Sequence, residues 1–431
     1  MNNIYIYIGI YVVLILIASW FFSLSQKKED FLIAGRKRNG WEIMFSKFAT
    51  AIGVSYFITY TGFAYEYGVG VFSLLLGLVV GYLFFAYWAA PRIHKNSKKG
   101  RFYTIGDFVY SKTRNNFSRH SADVVSMVIL FVWLLTGIIG GGKIISDFGF
   151  LSYNFAVFLT AFIILAYVLM SGFRAVIMTD IIQGIIIFVL MIFIVLGIIG
   201  TNNLEIVLSL QNTGFDLLSS IGFFLFGVLS VFSYADRYQL SYAAKNKNHL
   251  KHGIGLSILP VIFIAFLLLL IGNFMSIHAP GLDSGLVFTE ALKNFLPASL
   301  LPLAIVLFFA GVMGSSDTSI YSISSHYAMS MKKWSVKTIR IVMIFLVVLS
   351  FICAIIFPDV VGASIFAGAI SLTLAVPMIY LIAGGKKSSK FISSLILGIF
   401  GMILGILVLG LNPSAGAFPV IFSALGLLWW K

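Results

Sequence analysis

Apolar residues in this chain run in long stretches, and the polar positions between them set off about thirteen segments long enough to cross a bilayer as helices. These lie near Ile4–Leu24, Trp41–Tyr65, Val69–Ala90, Val124–Ile145, Tyr153–Met170, Ala175–Gly200, Leu217–Tyr234, Gly253–Ile277, Leu300–Met329, Val336–Phe357, Val360–Ala383, Phe391–Leu411 and Ala415–Trp430. The pattern predicts an all-α polytopic membrane protein. No polar block is long enough to fold separately, so residues 1–431 read as a single integral-membrane domain.

Three segments break the rule that a span should be oily. Phe48–Gly70 mixes Thr50, Ser55, Tyr56, Thr59 and Thr61 with Gly53 and Gly62, a pattern of either a broken helix facing a cavity or close packing by small residues. Ser171–Gly184 carries Thr179, Asp180 and Gln183 about two turns inside the inner end of its span. Asp180 and Gln183 share a face there. Ala310–Ser325, AGVMGSSDTSIYSISS, follows an apolar run, and a helix entering at Leu300 with ~1.5 Å rise per residue reaches mid-bilayer near Met313–Asp317. An acid at such depth needs a cation, a proton or a partner helix.

Composition agrees with this class: 60% of residues are hydrophobic and 10% charged, with 42 Phe, and the mean hydropathy is +1.02. The net charge of +14 is a topological signal. Threading the spans with the N-terminus outside places every Lys and Arg inside except Lys143 and Lys293. This predicts an N-out, C-in chain and no nucleic-acid partner. Ile4–Leu24 is too long for a signal-peptide core and lacks a basic leader. The one cysteine, Cys353, excludes disulfides within the chain. TIGDFVYSKTR, Thr104–Arg114, predicts a short helix on the cytoplasmic interface, and Leu427–Lys431 an interfacial anchor.

No zinc-type spacing, phosphate loop or nucleophile elbow is present, so the chain is not read as an enzyme. GGGK, Gly140–Lys143, lacks the spacing of a nucleotide loop. Five histidines fall in predicted loops and His326 near the inner end of a span, none in a ligand pattern.

FLIAGRKRNG (31–40), the polar first core helix, TIGDF, GFRAVIMTDIIQG (172–184), DRYQLSYAAK (236–245) and AGVMGSSDTS (310–319) together resemble the sodium/solute symporter family, in order and spacing across nearly the whole chain. That family includes sodium-coupled transporters of glucose, proline, sialic acid and pantothenate. The resemblance implies a leucine-transporter-like fold of two inverted five-helix repeats, here 41–200 and 217–383, with an extra helix at 4–24 and two at 391–430. It implies a sodium site formed by the carbonyls of Ala49, Ile52 and Gly311 with Gly314 and Ser315. Gly314 departs from the pattern, since the family usually has Ser there. Either a water or Ser316 fills the gap, or sodium is held weakly. Asp180, Asp317 and Thr318 match a second site, for sodium or a proton. In DRYQLSYAAK, Leu240 replaces a usual Arg, and the resemblance offers Arg237 as its compensation.

The same resemblance puts the solute between the broken first helices of the two repeats. Ser55 and Tyr56 stand where sugar-binding members carry acids and amides. With Tyr65, Ser230 and Asn273, they favour a small amino acid or organic carboxylate over a sugar. Tyr56, Phe57 and Tyr65 either gate the cavity or pack. The expected function is sodium-driven symport of a small-molecule solute in the cytoplasmic (plasma) membrane, with the lipid bilayer as its surroundings and no obligate protein partner evident. Alternatives are a proton-coupled symporter using Asp180 or Asp317, and a transporter-like solute sensor.

Overall fold

A backbone in hydrocarbon must satisfy its own N–H and C=O groups, and this chain does so with helices. The computed structural model describes residues 2–23, 28–170, 172–201, 216–331 and 335–429. Leu24 and Trp430, which end the first and last predicted spans, lie outside the described residues, as do Lys27, Ser171, Lys332, Lys333 and Lys431.

The helices in order are α1 (Asn2–Ser23), α2 (Lys28–Ile33), α3 (Gly40–Ala51), α4 (Val54–Tyr67), α5 (Phe72–Phe84), α6 (Ala90–Gly100), α7 (Ile105–Thr113), α8 (Asn116–Asp147), α9 (Tyr153–Met170) and α10 (Phe173–Thr201). They continue with α11 (Leu217–Leu229), α12 (Ala235–Ala243), α13 (Lys247–His278), α14 (Val287–Phe295), α15 (Leu301–Ser330), α16 (Val336–Ile356), α17 (Val360–Ile382), α18 (Ser388–Leu409) and α19 (Ala417–Trp429). Among the described residues nine helices are long and apolar enough to cross a membrane, or ten if the bent pair Leu217–Phe232 and Ala235–Ala243 is one span. The protein is therefore a multi-pass integral membrane protein. Shorter apolar helices at Gly9–Phe22 and Pro413–Leu428 occupy the places of the first and last predicted spans.

Two spans are interrupted. The predicted Trp41–Tyr65 span forms as α3 and α4, with the helical path lost at Ile52 (φ −99°, ψ 71°) and Gly53 (φ −83°, ψ 172°). Asn39 starts α3 through a capping box with Glu42. The span starting at Leu217 tightens to a 3-10 turn at Ser230–Phe232 and bends by 42° into α12. Every residue of α12 is buried. Arg237, expected in an inside segment among solvated charges, is therefore enclosed by protein. The short helix expected at Thr104–Arg114 forms as α7 with a Thr104–Asp107 capping box, but Ile105, Phe108 and Val109 face protein rather than lipid. The Arg119–Asp107 ion pair at 2.8 Å fixes α7 to α8.

α15 is the hub: it packs on α1, α3, α4, α8, α9, α10 and α16 and is buried along most of its length. Lipid-facing residues gather on outer helices, such as Phe345 on α16 and Leu407 on α18. α5 and α11 cross backbone to backbone. A Cβ on Gly81 would sit 2.6 Å from the Gly227 carbonyl oxygen and 2.7 Å from that of Val228, and one on Gly227 would sit 2.7 Å from the Leu74 carbonyl oxygen. Gly77 and Gly81 form the small-xxx-small spacing that permits this approach.

Replacing Gly81 by Leu should force these helices apart, at a cost of about 1–3 kcal/mol or more. The thermal unfolding midpoint of the purified variant in detergent should fall by several degrees. A midpoint equal to the wild type would refute the tight crossing.

Candidate functional site

The two interruptions meet at the centre of the molecule. At the end of α3 the Ile52 N–H donates to the Phe48 carbonyl at 3.0 Å, and the carbonyls after Phe48 are left without a next-turn donor because the chain turns away at Gly53. Gly53 is needed for a close approach, since a Cβ there would lie 2.5 Å from Ser315 Oγ and 3.6 Å from the Gly311 carbonyl oxygen. Lys47, on α3 of the first broken helix, pairs at 3.0 Å with Asp236 on α12 of the second. Both side chains are buried, so this ion pair ties the broken helices together.

Around Ser315 lies a cluster of oxygens. Gly311 and Gly314 are on α15, Ala49 and Ile52 at the end of α3. Ser315 Oγ donates to the Gly311 carbonyl at 3.0 Å. A Cβ on Gly314 would fall 3.6 Å from the Ala49 carbonyl oxygen and 3.0 Å from Gln183 Oε1. The glycine therefore leaves room that the Gln183 amide borders. Gln183 is buried and both of its amide atoms lack a hydrogen-bond partner, as does Ser316 Oγ. The Tyr11 hydroxyl neighbours Gln183 without meeting hydrogen-bond geometry.

The two acids of the cluster differ. Asp317 is saturated, with Oδ2 accepting from the Tyr167 hydroxyl at 2.7 Å and Oδ1 from the Thr318 N–H at 2.5 Å. Tyr167 also meets the Thr179 hydroxyl. Asp180 accepts from Ser46 Oγ at 2.6 Å on Oδ2, and its Oδ1 has no partner. Thr318 Oγ1 faces Thr50 Oγ1 at 3.3 Å, joining α15 to α3. Among the described residues no group of three or more His, Cys, Asp or Glu is placed to hold a metal. The donors gathered here are hydroxyls, carbonyls, an amide and single carboxylates, a set suited to a hard cation.

Ser315 also borders a central cavity where Ser55, Tyr56, Ser230, Trp133, Lys47 and Arg237 are found. Of the predicted solute residues, Ser55, Tyr56 and Ser230 are thus brought together. Tyr65 is not: its hydroxyl donates to the Ala279 carbonyl at 2.9 Å and accepts from the Leu282 N–H at 2.8 Å, so it fastens a connecting segment. Asn273 is buried in α13 and outside the lining of this cavity. Phe57 packs against Phe288 and Phe308 in the core. Tyr56 stacks on Tyr60 with centroids 3.7 Å apart, and both rings also line a second cavity on the side of Asn412 and Pro413. His326 is structural, accepting from the Ile105 N–H at 3.1 Å. Gln183 and Trp133 were not legible as site residues, and Arg237 was legible only as compensation for the Arg that Leu240 replaces. Gln183 had one signal, its place one turn from Asp180.

Comparison with known proteins points one way. The model of the sodium:solute symporter family matches residues 31–330. The sodium/proline symporter of Staphylococcus aureus is 24% identical over 238 residues, covering 53% of this chain and 46% of the relative. That of strain Newman is 25% identical over 240 residues with the same coverage. The chain thus spans about half the length of the curated relatives it matches. Among solved structures, a substrate-bound outward-open Na+-coupled sialic acid symporter superposes with a TM-score of 0.77 at 18% identity, over 98% of this chain and 96% of that one. A nucleobase-cation-symport-1 family transporter superposes with a TM-score of 0.64 at 11% identity, over 94% and 95%. These structural likenesses carry the fold.

Tyr167→Phe removes one donor to Asp317 and leaves a buried carboxylate oxygen unsatisfied, a loss of about 1–3 kcal/mol. The expected result is a lower thermal unfolding midpoint of the purified variant. An unchanged midpoint would show that Asp317 does not depend on this hydroxyl.

Proposed function

The chain belongs to the sodium:solute symporter family, and from that premise we propose that it is a secondary active transporter driven by the inward sodium gradient. Its cargo is a small organic solute, an amino acid or carboxylate rather than a sugar, moved by alternating access. The observation that carries this reading is the cluster of under-satisfied oxygens where the broken first core helix meets α15, shared through Ser315 with the central cavity. The names of the relatives, sodium/proline symporter and Na+-coupled sialic acid symporter, support the coupling ion.

The proposed sodium ligands are the carbonyls of Ala49, Ile52 and Gly311 and the hydroxyl of Ser315. Gln183 Oε1 takes the place of the hydroxyl that Gly314 lacks. This exchange has a steric basis. A side chain at 314 would begin 3.0 Å from Gln183 Oε1, so the two compete for one space. Ion and solute then share Ser315 and the α3–α4 break, and by linkage each must raise the affinity of the other. The thirteen-span, N-out, C-in arrangement and the inverted repeats 41–200 and 217–383 are part of the same proposal. The paired interruptions at Ile52–Gly53 and Ser230–Phe232, each in the first helix of its repeat, support it. A cytoplasmic-membrane location follows from the same reading.

A second reading has one observation in its favour. Asp180 leaves one buried carboxylate oxygen without a partner, an acceptor that a bound proton would satisfy. Proton coupling would then replace sodium coupling.

Reconstituted protein should accumulate labelled solute from a panel of amino acids and carboxylates only under an inward sodium gradient. Gln183→Leu and Ser315→Ala should each raise the sodium concentration for half-maximal uptake by about 10-fold, the loss of one ligand. Uptake that follows an imposed pH gradient and ignores sodium would select the proton reading. Wild-type sodium sensitivity in both variants would remove this site.

A further inference from the structure

The central cavity holds three charged groups among its described lining residues: Lys47, Asp236 and Arg237. Lys47 and Asp236 neutralise each other at 3.0 Å. Asp236 also feels the neighbouring Arg237, but one carboxylate cannot balance two cations. The Arg237 guanidinium lies 4.5 Å from the ring centroid of Tyr234 and 5.0 Å from that of Tyr82, and Nη2 reaches the Tyr82 hydroxyl at 3.4 Å. These aromatic contacts hold the group in place without neutralising it. Nε and Nη1 are buried and have no hydrogen-bond partner. Two buried cations sharing one carboxylate leave a net positive charge, which is costly in a buried site, so the cavity is poised for an anion.

The other idle groups on the same wall agree. Trp133 Nε1, a donor only, and the Tyr56 hydroxyl are buried and line the same cavity as Arg237; the Tyr234 and Tyr60 hydroxyls neighbour them without meeting hydrogen-bond geometry. The cavity therefore has surplus donors and one surplus positive charge, while its one carboxylate is already engaged by Lys47. The complement is a group that only accepts hydrogen bonds and carries a single negative charge. A zwitterion fits less well. Its ammonium group would find no free carboxylate and would leave the positive charge unbalanced.

We propose that Arg237 binds the carboxylate of the transported solute and that the cargo is a monocarboxylate with an apolar body and no ammonium group. This deepens the symporter reading and rests on it. The aromatic rings of Tyr56, Trp133 and Tyr234 supply the surface for the apolar body.

The test uses the full chain in proteoliposomes with labelled propionate, butyrate and benzoate, each set against its neutral amide as competitor. Wild-type protein should take up at least one of these acids and prefer it to the amide by at least about 30-fold. Arg237→Gln should lose that preference while the protein remains monodisperse on size exclusion. If the glutamine variant does not reconstitute, Arg237→Lys is read by the same ratio. It should keep the preference for acid over amide but bind the acid more weakly than wild type. Persistence of the acid preference in Arg237→Gln, or wild-type affinity in Arg237→Lys, would overturn the assignment. So would sodium-driven uptake of neutral or zwitterionic solutes together with no uptake of any acid, and that result would leave the symporter reading intact. Uptake of an acid that is indifferent to sodium would instead sink the sodium-coupled reading and keep the role of Arg237.

Discussion

An interrupted helix inside a bilayer must find partners for the backbone groups it frees, and this constraint organises the centre of the molecule. α3 and α4 separate at Ile52–Gly53, α11 and α12 around Ser230–Phe232. Each break exposes carbonyls or amides that water cannot reach in hydrocarbon. The polar stripe of α15 answers the first break, approaching so closely that residue 53 has no room for a side chain. The cavity lies where the second break faces the first.

The Lys47–Asp236 pair binds α3 of the first broken helix to α12 of the second at 3.0 Å. A buried ion pair of this kind adds little net stability over an apolar contact, but losing one member is expensive. Its contribution is to register: α3 and α12 are held to one another at a single point. α11, the other half of the second broken helix, is held by different means, the glycine crossing with α5. The two halves of that helix thus have separate fastenings.

The long apolar runs made most spans legible, because a bilayer imposes a length that composition alone reveals. The break at Gly53 was legible too, from glycine among hydroxyls in an otherwise oily stretch. Contacts between distant residues were another matter. Tyr65 reads as a cavity residue until Ala279 and Leu282 are seen to hold its hydroxyl. Arg237 reads as one more inside charge, because an Asp-Arg pair followed by Lys and Asn looks solvated in sequence, and only the bend after Ser230 turns it inward. Asp180 and Asp317 look equivalent as intramembrane acids. They differ because Tyr167, far away in sequence, reaches one of them.

Lys47, Asp236 and Arg237 together leave the empty cavity with one positive charge. On the proposed reading, one sodium ion entering with one monocarboxylate adds nothing to that total. The loaded and the empty carrier then present the same charge to the transmembrane voltage, which is worth about 2.3 kcal/mol per charge per 100 mV across the full field. Membrane potential would favour neither the inward nor the return reorientation through the cavity's contents. The concentration gradients of sodium and solute alone would set the direction of net flow.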